Sequence, residues 1–245
     1  ATVSGSDEAG TSHPLFCGIV TDGQMEQENN TYIVTIVMKT GTFLMDLREH
    51  IRVFQRGSYQ VLQDACMESY RKAYPESKFL MAMPDQSTGG LVVQYRETDW
   101  EFARRLAGQK NTVLVPNEKS PGVKYIFGVS GDAAGELSSY EGYTSFRDMG
   151  GYRRRKENGF RGGAGSGCQV RSREVFFVGD SVGIRGKTYV VTRLRREWSR
   201  KELWTLYTLT EAGDIWQETY YNPKIIGASL KGKVSEVSRD KVRIT

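Results

Sequence analysis

Short runs of apolar, β-branched and aromatic residues alternate with polar stretches along the first part of the chain, which predicts β-strands. The runs FCGIV and TYIVTIVM read as strands, and Asn29-Asn30 between them suits a tight turn. The preceding segment ATVSGSDEAGTSH is small and polar, so we expect a flexible N-terminal tail over residues 1–14. Several strands are expected across residues 15–57.

The pattern then changes to an α/β segment over residues 58–129. In SYQVLQDACMESYRKAY apolar residues recur at helical spacing, Ser58 can cap the helix, and Pro75 ends it. A second helix begins at Thr98, which forms a capping box with Glu101. The predicted buried face of the first helix is Val61, Leu62, Ala65, Cys66, Ser69, Tyr70 and Ala73, and that of the second is Phe102, Ala103, Leu106 and Ala107.

Beyond the helices, the pattern of apolar residues that predicts strands and helices weakens and then returns. Residues 130–170 are rich in glycine and charge, which predicts a long loop or an inter-domain linker. Strands are expected again over 171–228, with Arg185-Gly186 as a turn. The tail 229–245 contains KGKVSEV and KVRIT around a further turn, which indicates one more hairpin.

A weak internal repeat links the two strand-rich parts. IVTDGQMEQENNTYIVTI and VVTRLRREWSRKELWTLY share a layout of strand, polar turn and strand. Three residues coincide without a gap, namely Val20, Thr21 and Glu26 with Val191, Thr192 and Glu197. So few identities leave chance and duplication both open, but the shared layout suggests two similar β-domains. The expected fold is α+β and mainly β, with two similar β-barrel domains flanking a small two-helix segment.

The composition excludes some classes of protein but does not identify the function. The net charge of +5 neither demands nor excludes a nucleic-acid partner. No apolar run is long enough to span a bilayer, so no membrane-spanning segment is expected. Three distant cysteines with no CxxC favour a reducing compartment over a disulfide framework or a zinc site.

Enzyme chemistry finds little support. Cys17 and His13 are close in sequence, but a thiol nucleophile also needs a group that orients its base, and none is nearby. Cys17 and Cys66 are therefore interpreted as packing residues. No carboxylate pair stands in a setting typical of a glycosidase, and no phosphate-binding or HExxH motif occurs. We predict no catalytic residues, no cofactor and no metal site.

The segment YRRRKENGFRGG concentrates basic residues, namely Arg153, Arg154, Arg155 and Arg161, with aromatic residues among them. Such a charged contact loop resembles arginine–glycine tracts that bind RNA through phosphates. The alternative is a solvated loop that docks on an acidic neighbour or stays mobile. We favour the solvated loop because the charge excess elsewhere is slight.

The most specific feature is QYRETDWEFARRLA, which resembles the YRESDWEFLxRL signature of phage-tail hub proteins and VgrG-like proteins of contractile injection systems (the late control protein D-like family). The matching positions are Tyr95, Arg96, Glu97, Asp99, Trp100, Glu101, Phe102, Arg105 and Leu106, with Thr98 in place of serine. Residues 171–228 resemble the second β-barrel of these proteins, 15–57 a first barrel portion, and 229–245 the start of an OB-type barrel.

The resemblance implies a non-enzymatic structural hub of a phage tail baseplate or related injection apparatus. It implies a homotrimeric ring that adapts a six-fold tail tube to a three-fold spike, with tube and spike proteins as partners and no small-molecule substrate. Assembly in the bacterial cytoplasm and residence in a virion tail or injection particle follow. The expected contact surfaces are residues 19–40, residues 189–209 and the helix from Thr98.

Two departures qualify the resemblance. The strands that normally begin the first barrel are short or missing, and the chain ends where the next barrel is expected, so we expect a piece of a longer protein. The alternatives are a nucleic-acid-binding β-barrel protein that uses the basic loop and a fragment of a tail-associated cell-wall hydrolase.

Overall fold

The computed structural model describes all residues except 7–9, 56, 132, 158, 160–161, 164, 200, 220 and 245. Strands predominate and helices are few, which confirms an α+β, mainly-β fold. The chain runs through an N-terminal group of strands, a central α/β unit, a curled C-terminal sheet and a final hairpin.

The N-terminal strands form two separate antiparallel ribbons. They are β1 (Thr2–Ser6), β2 (Ser12–Cys17), β3 (Ile19–Glu28) and β4 (Thr31–Lys39), with β1 paired to β2 and β3 to β4. Residues 1–14 therefore contain β1 and half of β2 rather than only a flexible tail, because Leu15 and Cys17 are buried and anchor the ribbon. Asn29 and Asn30 both have positive φ, which confirms the tight turn.

The central unit combines two helices with short strands. It contains a 3-10 helix (Gly41–Asp46), β5 (Glu49–Gln55), α1 (Tyr59–Ala73), β6 (Lys78–Met81), β7 (Leu91–Thr98), α2 (Asp99–Gln109), β8 (Leu114–Pro116) and β9 (Lys124–Phe127). Strand β5 is antiparallel to β7, and β9 lies between β6 (parallel) and β8 (antiparallel). Because β5 pairs with β7, part of the predicted first barrel belongs to the central unit.

Helix α1 buries a face that overlaps the predicted one only in part, since Leu62 and Cys66 are fully buried as predicted and other predicted residues are not. Ser58 caps it as predicted, accepting a hydrogen bond from the Val61 amide at 3.4 Å. Val61 itself is 55% exposed. The buried residues are Tyr59, Leu62, Gln63, Cys66 and Met67, which follow the i, i+3, i+4, i+7, i+8 stripe. The polar Gln63 is tolerated in this stripe because it accepts a hydrogen bond from the Tyr125 hydroxyl at 2.7 Å.

The core of the central unit lies between α1, α2, the 3-10 helix and the strands. Its buried residues are Met45, Tyr59, Leu62, Cys66, Met67, Phe102, Leu106, Ala107, Val123, Tyr125 and Phe127. The buried face predicted for α2 is confirmed. Both helices therefore pack their apolar stripes into one core.

The C-terminal sheet has six strands. Its elements are β10 (Ala133–Glu136), β11 (Glu141–Arg147), α3 (Met149–Glu157), β12 (Ser166–Ser172), β13 (Ser181–Ile184), β14 (Lys187–Ser199) and β15 (Glu202–Thr210). The order is β10-β13-β14-β15-β12-β11, and only β10 and β13 are parallel. The loop or linker predicted at 130–170 is thus an integral part of the sheet. Gly167 allows close packing inside this sheet, since a Cβ there would lie 2.2 Å from the Leu209 carbonyl oxygen.

The sheet curls so that the turn between β13 and β14 approaches the far edge strand β11. The Arg185 guanidinium, in the predicted turn before β14, lies 4.0 Å from the ring centroid of Tyr143 on edge strand β11. Arg185 Nε also donates to the Tyr140 hydroxyl at 2.9 Å. The curled sheet encloses a second core. Its buried residues are Leu137, Cys168, Val170, Phe176, Val182, Ile184, Tyr189, Val191, Tyr207 and Leu209.

One joint, centred on the buried Glu118, connects the N-terminal strands, the central unit and the C-terminal sheet. The Cys17 amide donates to the Glu118 backbone oxygen at 2.7 Å, and the Val178 amide donates to Glu118 Oε1 at 3.0 Å. Arg196 Nη1 donates to the Leu15 backbone oxygen at 2.9 Å. Burial raises the pKa of Glu118, although the Val178 amide and Arg196 oppose this.

After the sheet the chain returns to the central unit and ends in a hairpin. Two 3-10 helices, Ala212–Asp214 and Pro223–Ile225, precede β16 (Val234–Ser238) and β17 (Lys241–Ile244). These strands are antiparallel and form the hairpin predicted from KGKVSEV and KVRIT.

Candidate functional site

Strand β7 carries a β-bulge inside the signature motif. Opposite β5, Glu97 pairs with His50 and Tyr95 with Ile51, so Arg96 is the extra residue. Arg96 has φ 48°, in the left-handed region that few non-glycine residues adopt. Because a bulge re-aims the strand, Arg96 is exposed while Glu97 turns into the protein.

Glu97 forms a buried, bidentate ion pair with Arg105 on α2. Arg105 Nε and Nη2 donate to the two carboxylate oxygens at 2.6 and 2.8 Å, and the side chains are only 10% and 6% exposed. Arg105 Nη2 also donates to the Val93 backbone oxygen at 2.8 Å. The pair therefore clamps α2 to β7 on both sides of the corner.

Asp99, at the first position of α2, is fully buried and accepts a network of hydrogen bonds. Gln94 Nε2 donates to Oδ1 at 3.0 Å, and the Tyr70 hydroxyl donates to Oδ2 at 2.9 Å. Arg52 Nη1 also donates to Oδ1, and His50 Nε2 lies 3.5 Å from Oδ2. These partners come from β5, α1 and β7, so one carboxylate ties three elements to the start of α2.

Burial decides the protonation of the groups around Asp99. It raises the pKa of the Tyr70 hydroxyl and of the Cys66 thiol, and the Asp99 carboxylate adds to both shifts. Burial lowers the pKa of His50, with Asp99 opposing and Arg52 assisting. Cys66 lies fully buried in the core of the central unit, and its raised pKa keeps the thiol protonated.

The predicted capping box is confirmed at the start of α2. The Glu101 amide donates to Thr98 Oγ1 at 3.0 Å, and the Thr98 amide donates to Glu101 Oε2 at 2.9 Å. The Thr98 hydroxyl in turn donates to Asp46 Oδ1 at 2.7 Å. The cap thereby also holds the 3-10 helix that follows β4.

The two aromatic residues of the motif contact different strands. Phe102 is fully buried and stacks on Phe54 of β5, with ring centroids 5.7 Å apart. Trp100 meets Tyr125 of β9 edge-on, with centroids 5.9 Å apart. Helix α2 is therefore packed against both small sheets of the central unit.

A strap, defined as residues 215–226 without residue 220, runs back along α2 towards this corner. The Thr219 hydroxyl donates to the Gly108 backbone oxygen at 2.9 Å, near the end of the helix. A Cβ on Gly108 would lie 2.8 Å from the Glu218 backbone oxygen. The strap therefore requires glycine at this position of α2.

The strap ends on the motif itself. Asn222 Nδ2 donates to the Tyr95 backbone oxygen at 2.7 Å, and Lys224 Nζ donates to the Arg96 backbone oxygen at 2.6 Å. Lys224 also pairs with Glu49 at 2.8 Å, and the hydrogen bond to this carboxylate raises the pKa of Lys224. The strap therefore donates hydrogen bonds to two consecutive backbone oxygens at the bulge.

The motif residues thus come together, and sequence reasoning missed several of their partners. Arg52 and Gln94 interrupt the apolar runs IRVF and LVVQY, and this polar interruption of a strand was the available signal. Asn222 and Lys224 carried no such signal, because their partners lie more than a hundred residues away in the chain.

Three of the four predicted basic residues lie on a helix rather than in a loop. Arg153, Arg154 and Arg155 belong to α3, which follows edge strand β11. Arg155 pairs with Asp148 at 3.2 Å, whereas Arg153 and Arg154 are exposed. Arg161 lies outside the described residues. Together with Lys156, helix formation places four cations on one short element of the C-terminal part.

The thiol and histidine considered for catalysis are held apart. His13 and Cys17 lie on the same strand, where they pair with Gly5 and Thr2 of β1. Four residues along a strand span about 13 Å, which is too far for a thiol–imidazole hydrogen bond. The described residues also contain no group of three or more histidine, cysteine, aspartate or glutamate side chains placed to hold a metal ion.

The two strand pairs singled out by the sequence repeat have the same register. We call residues 19–39 the N-hairpin and residues 190–210 the C-hairpin. Each of the nine Cα pairs in the N-hairpin has a counterpart in the C-hairpin at a constant offset of 171 residues. The turns agree as well, with φ 66° at Asn30 and 67° at Lys201.

An irregularity repeats with the register. Both hairpins shift register at the same place, leaving Thr21 in one and Thr192 in the other without a paired residue. The Thr21 hydroxyl donates to the Val37 backbone oxygen at 3.4 Å, and the Thr192 hydroxyl to the Thr208 backbone oxygen at 3.1 Å. A bulge, its side chain and its acceptor all recur at the same offset.

The hairpins differ in what covers them. In the C-hairpin, Val191 and Tyr207 are fully buried in the core of the curled sheet. Their counterparts Val20 and Ile36 are 51% and 58% exposed. The N-hairpin therefore presents an uncovered apolar face where its counterpart has a core.

Comparison with known proteins assigns the family. Residues 1–143 of the 245-residue chain match the model of the phage tail baseplate hub (GPD) family. This chain belongs to the phage tail baseplate hub family. The matched region contains the N-hairpin and the motif corner, which we define as residues 95–106. Both therefore lie in the part of this hub that matches the family. No curated protein matches the sequence.

Solved tail and secretion proteins share the fold of this hub. The E. coli c3393 protein, a type VI secretion component described as similar to the T4 bacteriophage tail proteins gp27 and gp5, matches with TM-score 0.61 and 14% identity over 97% of this chain and 73% of its own. The 43 kDa tail protein of Shewanella oneidensis prophage MuSo2 matches with TM-score 0.63 and 9% identity, over 85% and 80% of the two chains. A tail protein of Neisseria meningitidis MC58 has TM-score 0.59 and 11% identity, over 83% and 82%.

The described part of this hub contains no candidate for a membrane-spanning helix. None of its helices is both long and apolar enough to cross a membrane.

Proposed function

We propose that this baseplate hub forms a homotrimeric ring in which each copy supplies its N-hairpin and its C-hairpin as two equivalent modules. The observation that supports this is the shared register of the two hairpins, including the bulge at Thr21 and Thr192. Three chains would then present six similar hairpins around one axis.

Symmetry explains why such a repeat is useful. A closed ring needs surfaces that recur at equal angles around its axis. With two similar modules a three-fold ring offers six similar positions to a six-fold tail tube, while its other end stays three-fold for a spike. Tube and spike proteins of the same apparatus are the proposed partners, in a virion tail or injection particle assembled in the bacterial cytoplasm.

Exposed apolar surface supports assembly. The face of the N-hairpin that corresponds to the core side of the C-hairpin carries several uncovered side chains. They are Val20, Met25, Tyr32, Val34 and Ile36, each more than half exposed. Contiguous apolar surface of this kind typically marks a protein–protein interface.

The motif corner is assigned a mechanical role. It holds the strap through the Tyr95 and Arg96 carbonyl groups, and the strap leads on to the β16–β17 hairpin. A rigid corner would fix the direction in which the chain leaves the ring. The hub would thus act through shape and contact, without chemistry of its own.

The test is the mass and symmetry of the purified chain. Light scattering over a wide concentration range is expected to give three times the 27.6 kDa chain mass. Electron-microscopy averages viewed down the ring axis are expected to show six similar lobes. A monomer at every concentration, or a trimer with only three lobes, would contradict the proposal.

A further inference from the structure

The curled C-terminal sheet has an open mouth beside its edge strand β11. A cavity of about 370 Å³ lies there, lined by residues of β11, β12 and β14 and by Glu211. Binding sites commonly lie in the mouths of β-barrels. The chemistry of this lining therefore indicates what the cavity can hold.

Alternate residues of β11 face this cavity. Tyr143 and Ser145 pair with Val170 and Cys168 of β12, which belong to the core of the curled sheet. Because paired residues share one face of a sheet and faces alternate along a strand, Tyr143, Ser145 and Arg147 all lie on the core side. A further strand beside β11 would send every second side chain into the same cavity.

The lining carries an excess of positive charge. Arg147 ends β11 and Lys187 begins β14, and both are exposed. Neither forms an ion pair or a side-chain hydrogen bond among the residues that the structure describes. Glu211 is the single carboxylate among the lining residues, so two cations stand against one anion. The cavity suits a carboxylate, which these cations can bind through charge-assisted hydrogen bonds.

The backbone edge beside the cavity is free along the second part of β11. This strand is the last of the sheet, and of the described strands only β12 pairs with it. At one end the Arg185 side chain reaches across to Tyr140 and Tyr143. From Thr144 to Arg147 no described strand pairs with the outer edge. A free edge of this kind is a template for an added strand.

We propose that an extended acidic segment of another protein adds to the free edge of β11 and places carboxylates in the cavity, between Arg147 and Lys187. The backbone donors and acceptors of β11 match those of a peptide, so the edge favours a polypeptide over a nucleic acid. Backbone hydrogen bonds supply affinity for any extended chain, and the two cations select an acidic one. The inference goes beyond the proposed ring, because β11 belongs to neither the N-hairpin nor the C-hairpin.

The experiment measures the binding of labelled seven-residue peptides, which have the length of β11, by fluorescence anisotropy at low salt. The first peptide alternates four threonines with three glutamates, so that its carboxylates project from one face. The second has lysines in place of the glutamates. The third keeps the glutamates but has N-methylated backbone amides, which cannot donate hydrogen bonds to a strand. The first peptide is expected to bind at least tenfold more tightly than either of the others.

Variants of the chain test the assigned residues. Arg147→Ser with Lys187→Ser is expected to weaken binding of the first peptide at least tenfold. The control, Arg153→Ser with Arg154→Ser, removes the same charge from exposed residues of α3 and is expected to change binding less than twofold. Circular dichroism checks that each variant is folded. If the first variant unfolds, Arg147→Gln with Lys187→Gln replaces it, with the same expected loss.

Several results would overturn the inference. If the first and third peptides bind equally, or if inorganic phosphate displaces the first at constant ionic strength, the cavity is a site for a single anion. If single-stranded DNA of seven nucleotides binds more tightly than the first peptide, the surface recognises nucleic acid. If the two variants lose binding equally, net charge explains it. No binding of the first peptide would also end the inference.

This outcome is separate from that of the proposed ring. Peptide binding is measured on the purified chain whatever its oligomeric state. A chain that stays monomeric but binds the glutamate peptide overturns the ring and supports the inference. A trimer with six lobes that does not bind the peptide does the reverse.

Discussion

The ion pair between Glu97 and Arg105 gives the sharpest prediction about the corner. Replacing Arg105 by methionine keeps much of the side-chain volume but removes the guanidinium. Three hydrogen bonds are lost, at 2.6, 2.8 and 2.8 Å, and the carboxylate of Glu97 remains buried without its partner. Breaking a buried pair on one side typically costs about 3–5 kcal/mol, mainly through the uncompensated charge.

That cost is measurable by urea or thermal unfolding. For a chain of this size each kcal/mol lowers Tm by about 2–4 °C, so Arg105→Met is expected to lower Tm by about 6–20 °C. The control is Lys72→Met, which removes an ion pair with Glu68 whose side chains are 75% and 72% exposed. The control should cost no more than about 0.5 kcal/mol because exposed i,i+4 pairs contribute little.

The double variant Glu97→Leu with Arg105→Met tests the reasoning directly. With both charges gone no buried charge is left unpaired, so the double variant is expected to be more stable than Arg105→Met alone. A loss below about 1 kcal/mol for Arg105→Met would refute the reasoning, because a buried unpaired charge costs several times that. A double variant that loses the sum of the two single changes would refute it as well.

Two further predictions concern the joint and the strap. Glu118 has a raised pKa when folded, so its contribution to stability is present below its ordinary pKa of 4.5 and is lost as pH rises through the raised value. Glu118→Gln should therefore match the unaltered chain at pH 4 and exceed its stability at pH 8 in urea unfolding; a variant less stable at pH 8 would contradict this. Gly108→Ala places a Cβ 2.8 Å from the Glu218 backbone oxygen, so the strap should lift and become at least tenfold more sensitive to limited proteolysis. Ala103→Gly, on the buried face of the same helix, is the control, and equal cleavage in both variants would exclude a specific effect on the strap.

Features that depend on near neighbours were predictable from the sequence. The caps at Ser58 and Thr98, the Asn29-Asn30 turn and the apolar stripe of α2 all follow from residues within one or two helical turns or hairpin positions. The signature corner was also predictable as a unit, because its strand, cap and helix are contiguous in sequence. The family comparison confirmed what this motif indicated.

Features that depend on distant partners were not predictable. The glycine-rich composition of 130–170 predicted a loop, but hydrogen bonds to neighbouring strands make it β10, β11 and part of β12. Gln63 is polar and was excluded from the buried face of α1, yet Tyr125 satisfies it in the core. The helix and strand propensities of individual residues cannot predict such partners, because only the completed fold brings them close together.

By itself, then, the sequence determined the local elements, the signature corner and a faint repeat between two strand pairs. Only the tertiary structure decided that this repeat extends to register, bulge and turn. It also decided that one face of the C-hairpin is buried while the corresponding face of the N-hairpin is exposed. The physical reason is that three identities carry little information, whereas backbone pairing is set by hydrogen bonds that tolerate many side chains. Burial in turn depends on which strands lie beside a hairpin, and those come from elsewhere in the chain.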